Sequence, residues 1–159
     1  MQENSRVWIY QSNRPLNNVE VEVLAPILEN FTKTWTAHNN QLKATFEIKY
    51  NRFIVLIVDE NQAGASGCSI DKSVHLMKEI EQKFNINLFD RFNIAWKNKE
   101  EVLSSSRNEF EQLIKDNQIN TNTIVFNNLV ENYSQYRQNW ETPFKDSWHA
   151  KLFKLEVAN

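Results

Sequence analysis

The run from Phe53 to Val58 most constrains the fold, because all of its residues are apolar. Before it, residues 42–50 alternate apolar and polar side chains, which is typical of a strand with one buried face. The intervening Asn51-Arg52 predicts a two-residue hairpin turn, in which Phe46 faces Ile57. A strand apolar on both faces should be central, with both faces covered.

The remaining segments are assigned from their apolar spacing and from their capping residues. The predicted elements are a strand over 6–11, a helix over 18–36 kinked at Pro26, a helix over 70–84 capped by Ser69 and stopped by Asn85, strands over 92–96 and 102–103, a helix after the Ser106/Glu109 capping box, and a strand over 123–126.

The order of elements across residues 6–97 predicts an α+β fold, a ferredoxin-like antiparallel sheet with two helices on one face. Residues 98–159 are rich in aromatic side chains and are predicted to form an appended α+β layer over the other face. In the predicted register, residues 124–153 or a second copy of the chain cover the side chains of Ile54, Leu56 and Val58. The length of 159 residues favours a single compact domain over 1–159.

Composition excludes several classes of protein. A net charge of −2 without clustered Lys or Arg argues against nucleic-acid binding. No apolar run approaches the length of a membrane span, and the polar start of the chain shows no export signal, so a cytoplasmic location is expected. The single cysteine, Cys68, fits a reducing compartment. No cofactor is expected.

The segment Gly64–Lys72 contains both glycines and the cysteine, and it joins the apolar strand to the next helix. Unpaired N–H groups at a helix start bind anions and stabilise a thiolate. Ser66, Gly67, Ser69 and Lys72 are therefore candidate ligands for a carboxylate or phosphate. Cys68 is a candidate nucleophile, or else a small buried packing residue.

The hairpin register places His38 near this segment, so a Cys68–His38 dyad oriented by Asp59 or Asp71 has the composition of a catalytic site. His75 is expected on the helix surface. Cys68, His38 and His149 together have the chemistry of metal ligands, but no two of them are closely spaced, so no metal site is expected.

Several motifs carry a resemblance: Trp8-Ile9-Tyr10-Gln11-Ser12-Asn13-Arg14, Trp35-Thr36-Ala37-His38, the segment from Ser66 to His75, Phe126-Asn127-Asn128-Leu129-Val130 and Ser147-Trp148-His149. Over nearly its full length the chain resembles a family of small uncharacterised bacterial proteins often labelled ABC transporter ATPase. A phosphate loop needs a second glycine directly before Lys and Ser/Thr. Here Ile70-Asp71 precedes Lys72-Ser73, so we reject ATP hydrolysis.

Residues Glu109 to Trp140 also resemble the GYF-type peptide-binding adaptor domains in their helix, short strand and later tryptophan, although the Gly-Tyr-Phe triplet is absent. Two functions follow from these patterns. The first is a noncatalytic interaction or regulatory protein that binds an unknown protein partner, or a second copy, through aromatic residues near Trp140 and Trp148. The alternative is an anion-binding protein or Cys-dependent enzyme with its site at Gly64–Lys72.

Overall fold

The structure, a computed structural model, describes residues 1–153. It is an α+β fold with antiparallel sheets, which confirms the predicted class. The strands are β1 (Arg6–Gln11), β2 (Thr36–Ala37), β3 (Asn40–Gln41), β4 (Lys43–Lys49), β5 (Phe53–Asp59), β6 (Ile94–Asn98), β7 (Glu101–Ser105), β8 (Ile124–Phe126) and β9 (Glu141–Pro143). The helices are α1 (Asn18–Thr34), α2 (Gly67–Phe84), α3 (Arg107–Lys115), α4 (Tyr133–Asn139) and α5 (Trp148–Leu152), with a 3₁₀ turn at Phe144–Asp146.

The start of α2 differs from the prediction in a way that matters for the candidate site. Ser66 is the N-cap, and Ser69 is the third helical residue of a reciprocal capping box rather than the cap itself. The helix therefore begins three residues early, and Cys68 lies inside its first turn. The predicted stop is confirmed, because Asn85 caps α2 in the left-handed conformation with φ of 52°.

The central strand β5 is buried along its whole length, as predicted, between β1 and β4. One of its faces packs against the two long helices. There Leu56 and Val58 share a hydrophobic cluster with Leu28 of α1 and Met77 of α2. This cluster holds α1 and α2 side by side on the sheet, and it sets the position of the surface between them.

The β4–β5 hairpin has a three-residue turn, and the predicted two-residue turn is wrong. Lys49 pairs with Phe53, and Phe46 pairs with Leu56 rather than with Ile57. Tyr50 and Asn51 adopt left-handed conformations in the turn, with φ of 55° and 52°. One extra turn residue shifts the pairing by one position, which exchanges the two faces of the strand.

The prediction that Ile54, Leu56 and Val58 are covered by residues 124–153 is therefore wrong, because these side chains face the helices. The opposite face is covered by the later part of the chain, as the argument from a doubly apolar strand requires. On this face Phe53, Val55 and Ile57 of β5 form a hydrophobic cluster with later residues of the chain. These later residues are Phe126, Val130, Tyr136 and Trp140.

The ferredoxin-like detail is not confirmed, because the predicted fourth strand lies in a second sheet with the order β7-β6-β8-β9. The buried residues of β6 explain this placement. Ala95 packs towards the first sheet, whereas Ile94 and Trp96 pack with Phe110 and Phe144 on the other side. A short strand buried on both faces is stabilised as the centre of its own sheet. The free edge of β1 instead meets Asn132 through one backbone bridge.

Within residues 1–153 no helix combines the length and hydrophobicity that crossing a membrane requires. The first sheet with its helices corresponds to the predicted segment 6–97 except for β6. The division of a single domain into 6–97 and 98–159 stays a prediction.

Candidate functional site

The residue that follows α1, Trp35, contacts the start of α2. The Trp35 indole Nε1 donates a hydrogen bond of 2.8 Å to the Ser69 carbonyl. Beside this contact an open groove of about 720 Å³ runs between the end of α1, β2 and α2. We call it the α2 groove, and it is lined by Phe31, Thr34, Trp35, Thr36, Cys68, Asp71, Lys72, His75, Leu76 and Glu79.

The predicted anion ligands Ser66 and Ser69 serve the helix itself. The Ser66 hydroxyl accepts from the Ser69 N–H at 3.2 Å, and the Ser69 hydroxyl accepts from the Ser66 N–H at 2.7 Å. The Ser69 hydroxyl also donates to the Ser66 carbonyl at 2.8 Å, and the residue is buried. Neither hydroxyl can bind a ligand without weakening the cap.

The glycines are not needed for left-handed backbone at this loop, since neither has a positive φ. A Cβ added at Gly67 would meet no atom within 4 Å, and one added at Gly64 would lie 3.2 Å from the Glu60 Oε2 atom. The left-handed positions of the described chain fall mainly on asparagines, such as Asn51 and Asn85. Gly67 therefore marks no close approach of backbone to a ligand.

Cys68 is exposed, so the packing interpretation of this thiol is wrong. It lines the α2 groove together with His75, which lies two turns further along the same helix. His75 is an exposed surface side chain that pairs with Glu79 at 3.1 Å. Within residues 1–153, the Cys68 sulfur has no hydrogen-bond partner, so no base or orienting group is bound to it.

His38 lies at the exposed tip of the β2–β3 hairpin and is not among the residues that line the α2 groove. His38 and Asn39 form the turn with φ of 50° and 65°, the left-handed pair of a tight two-residue hairpin. Asp59, one of its proposed orienting partners, is buried and pairs with Lys43 at 3.6 Å. The groove thus brings Cys68 together with Asp71 and His75, and not with His38.

Lys72 and Asp71 carry opposite charges at the rim of the α2 groove, and both are exposed. Neither forms a salt bridge with another described residue. The His75 Nε2 atom and the Glu79 Oε1 atom, also at the rim, contact each other at 3.1 Å. The rim therefore presents one cation and one anion that are free to meet complementary charges.

Trp140 is a core residue, so its assignment as an interaction residue is wrong. It is 3% exposed and packs against Phe53 and Phe126 with ring centroids 4.9 Å apart in each case. Its indole Nε1 donates to the Asn128 Oδ1 atom at 2.9 Å. An aromatic side chain whose polar atom is satisfied inside a cluster contributes to stability and cannot contact a partner.

Trp148 is exposed and stacks on His149 with a centroid separation of 3.8 Å. Its role as an interaction residue stays a prediction. His149 is 3% exposed, and its Nδ1 atom has no hydrogen-bond partner within residues 1–153. Burial lowers the pKa of His149 to about 4, because the charged imidazolium is desolvated there.

Sequence reasoning missed a polar cluster that joins the two sheets. Tyr50 at the hairpin turn donates to Glu141 of β9 at 2.8 Å, and Lys97 of β6 pairs with the same carboxylate. The hydrogen bond from Lys97 to Glu141 raises the pKa of the Lys97 amine. On the same interface burial raises the pKa of Tyr136, whose hydroxyl donates to Glu47 at 2.9 Å. No motif or spacing marks these residues, because their contacts span distant segments.

Gln11 and Asn128, which belong to the first and fourth motifs quoted in the sequence analysis, meet in a chain of side-chain hydrogen bonds. The Gln11 Nε2 atom donates to the Asn93 carbonyl at 2.7 Å, and the Asn128 Nδ2 atom donates to Gln11 Oε1 at 2.9 Å. The same Asn128 accepts from Trp140. These motif residues hold the second sheet against the first, so their role in the structure is architectural.

In the described part of the chain, no group of three His, Cys, Asp or Glu side chains is arranged to hold a metal ion. Comparisons with protein-family models, with curated proteins and with solved structures gave no match to this chain. The resemblances to the bacterial family and to the GYF-type domains therefore stay hypotheses.

Proposed function

We propose that this chain is a noncatalytic interaction protein of the bacterial cytoplasm, and that it binds a segment of a partner protein in the α2 groove. The observation that carries the proposal is an open groove of about 720 Å³ whose apolar floor lies beside a charged rim. Its volume is within the range of roughly 300–1,000 Å³ found for ligand-binding clefts.

The floor consists of Phe31 and Leu76, which are half-buried, and the core residue Trp35, which is only 2% exposed, supports it. Trp35 packs edge-on against Trp8 at 5.9 Å and lies 4.9 Å from the Phe31 ring. Its indole N–H is bound to the Ser69 carbonyl, which fixes the orientation of the ring. A floor that is already ordered lowers the entropic cost of binding.

The rim defines the partner that fits. Lys72 and Asp71 have no salt-bridge partner in residues 1–153, and they border the apolar floor. A partner segment with one large apolar side chain, an acidic residue opposite Lys72 and a basic residue opposite Asp71 complements both parts of the groove. Charge pairs at such a rim set specificity and association rate more than affinity.

A fluorescence anisotropy assay with short labelled peptides tests this proposal. Each peptide carries a central Leu, Phe or Trp between one acidic and one basic residue, in both orders. One charge order is expected to bind saturably, and Lys72→Glu is expected to weaken that binding by about tenfold. Lys78→Glu is the matched control, because Lys78 is exposed on the same helix but does not line the groove.

Equal affinities for the Lys72→Glu and Lys78→Glu proteins would contradict the proposed site, as would the absence of saturable binding by every peptide. A second copy of the chain is the alternative partner for the α2 groove. In that case sedimentation would show a dimer that Lys72→Glu dissociates and Lys78→Glu does not.

A second candidate, an anion or thiol site, is favoured by the exposure of Cys68 in the first turn of α2. The N–H groups of Gly67 and Cys68 have no hydrogen-bond partner among the described residues, and such groups stabilise a thiolate. The test is the pH dependence of Cys68 alkylation. A midpoint well below about 8.5 supports a reactive thiol, whereas a midpoint at or above that value removes this candidate.

A further inference from the structure

A second groove lies at the edge of the second sheet, far along the chain from the α2 groove. It has a volume of about 620 Å³ and runs between β9, α4 and the turn that precedes α4. We call it the β9 groove, and the residues used below are Glu131, Gln135, Glu141, Thr142, Pro143 and Asp146.

One wall of the β9 groove is an open sheet edge. β9 pairs with β8 through Val125 and Thr142, and the flanking backbone bonds run from Asn127 N–H to the Trp140 carbonyl and from Phe144 N–H to the Thr123 carbonyl. In this antiparallel alternation the N–H and carbonyl of Glu141 and the carbonyl of Pro143 point away from β8. None of these three groups has a hydrogen-bond partner in residues 1–153. The edge is therefore a template for an added strand.

The charged residues that line this groove all have one sign. The residues that line the groove include three carboxylates, Glu131, Glu141 and Asp146, and no Lys, Arg or His. Glu141 is neutralised by Lys97, whereas Glu131 and Asp146 form no salt bridge with a described residue. In addition, α4 ends at Asn139 beside the groove, and the carbonyl end of a helix favours positive charge.

We propose that the β9 groove binds an extended, basic peptide segment, which adds a strand to the free edge of β9. The Glu141 backbone and the Pro143 carbonyl supply the main-chain hydrogen bonds. Glu131 and Asp146 supply the charge complementarity, and the Gln135 amide is a further polar contact. Because Pro143 donates no N–H, the added ladder is short, and the charges contribute specificity that the backbone alone does not.

The probe for this proposal is a short fluorescein-labelled peptide of alternating lysine and threonine, with binding followed by fluorescence anisotropy. The full chain is expected to bind it saturably and more weakly at higher salt. The double variant Glu131→Lys/Asp146→Lys is expected to lose at least about tenfold in affinity. The matched control, Glu22→Lys/Glu100→Lys, makes the same change of net charge at exposed carboxylates outside the groove, and it should retain most of the binding.

Two further peptides separate strand addition from simple charge attraction. One is methylated on the lysine backbone nitrogens and the other on the threonine backbone nitrogens, so only one of them blocks the N–H groups that face β9. We expect one peptide to lose at least about tenfold in affinity and the other to bind like the parent. Equal binding by both, equal effects of the two double variants, or no saturable binding of the parent peptide would each overturn the proposal.

Discussion

Because His149 is buried, we expect the protein to lose stability in mild acid. His149 is 3% exposed, and the Nδ1 atom has no hydrogen-bond partner within residues 1–153. In the unfolded chain the imidazole has a pKa of about 6.5, but burial lowers its pKa in the folded protein to about 4. Between these values the unfolded state binds the extra proton, so the free energy of unfolding falls as the pH falls.

The size of the effect follows from the two pKa values. The stability is fully present above pH 6.5, and linkage predicts that about 2 kcal/mol of unfolding free energy is lost between pH 7 and pH 5. Glu20, whose pKa Arg14 lowers to about 2, acts outside this window. Its contribution is present above the unfolded value of 4.5 and is lost only as the pH falls from there towards 2.

The assay is urea unfolding at several pH values, applied to the parent protein and to His149→Leu. The variant should lose most of the slope of unfolding free energy against pH between 5 and 7. His75→Leu is the matched control, because the His75 side chain is 78% exposed, and it should keep the slope of the parent. If His149→Leu retains the full slope, or His75→Leu removes it, burial of His149 is not the cause of the pH dependence.

Two further predictions concern packing and capping. Trp140→Ala should lower the free energy of unfolding by about 3–5 kcal/mol, because Trp140 is buried among Phe53 and Phe126. Trp148→Ala should lower it by less than about 1 kcal/mol, because Trp148 is exposed. Similar losses for the two variants in chemical denaturation would contradict this assignment of roles. Ser66→Ala should lower the free energy of unfolding by about 1 kcal/mol, because it removes the N-cap of α2, and Ser66→Asn should retain most of the parent stability. An unchanged denaturation midpoint for Ser66→Ala would show that the cap does not stabilise the protein.

The elements were predictable where local pattern and capping agree. The alternation before Asn51, the apolar run of β5, the Ser106 cap and the Asn85 stop all correspond to observed features. The caps depend on contacts within a few residues, and the strand patterns are visible within each segment itself. Local sequence carries that information directly.

The errors arose where a choice depended on distant parts of the chain. The turn could be read as Asn51-Arg52 because nothing nearby shows that Tyr50 adopts a left-handed conformation and donates to Glu141. The sheet that β6 joins depends on the partners of Ile94 and Trp96, which come from α3 and the 3₁₀ turn. One residue of register then changed which side chains of β5 face the helices.

The candidate site was predictable in position and not in composition. The segment around Cys68 does lie at a groove, but part of the floor of that groove comes from Phe31 of α1, which packs on the buried Trp35. Trp140 is predicted to contact a partner because it belongs to the aromatic-rich C-terminal segment, and aromatic content does not distinguish a surface cluster from a core layer. Its burial depends on Phe53, far away in sequence.

The most direct test of the proposed function is an NMR titration of the ¹⁵N-labelled chain with the peptide panel, monitored at the backbone amides of Cys68, Asp71, Lys72 and His75. These residues are exposed and line the α2 groove, so an occupant of the groove must change their surroundings. We predict saturable shifts of these four amide signals, with one midpoint for all of them. Unshifted signals from all four at peptide concentrations that saturate binding would contradict the assignment of the α2 groove as the partner site.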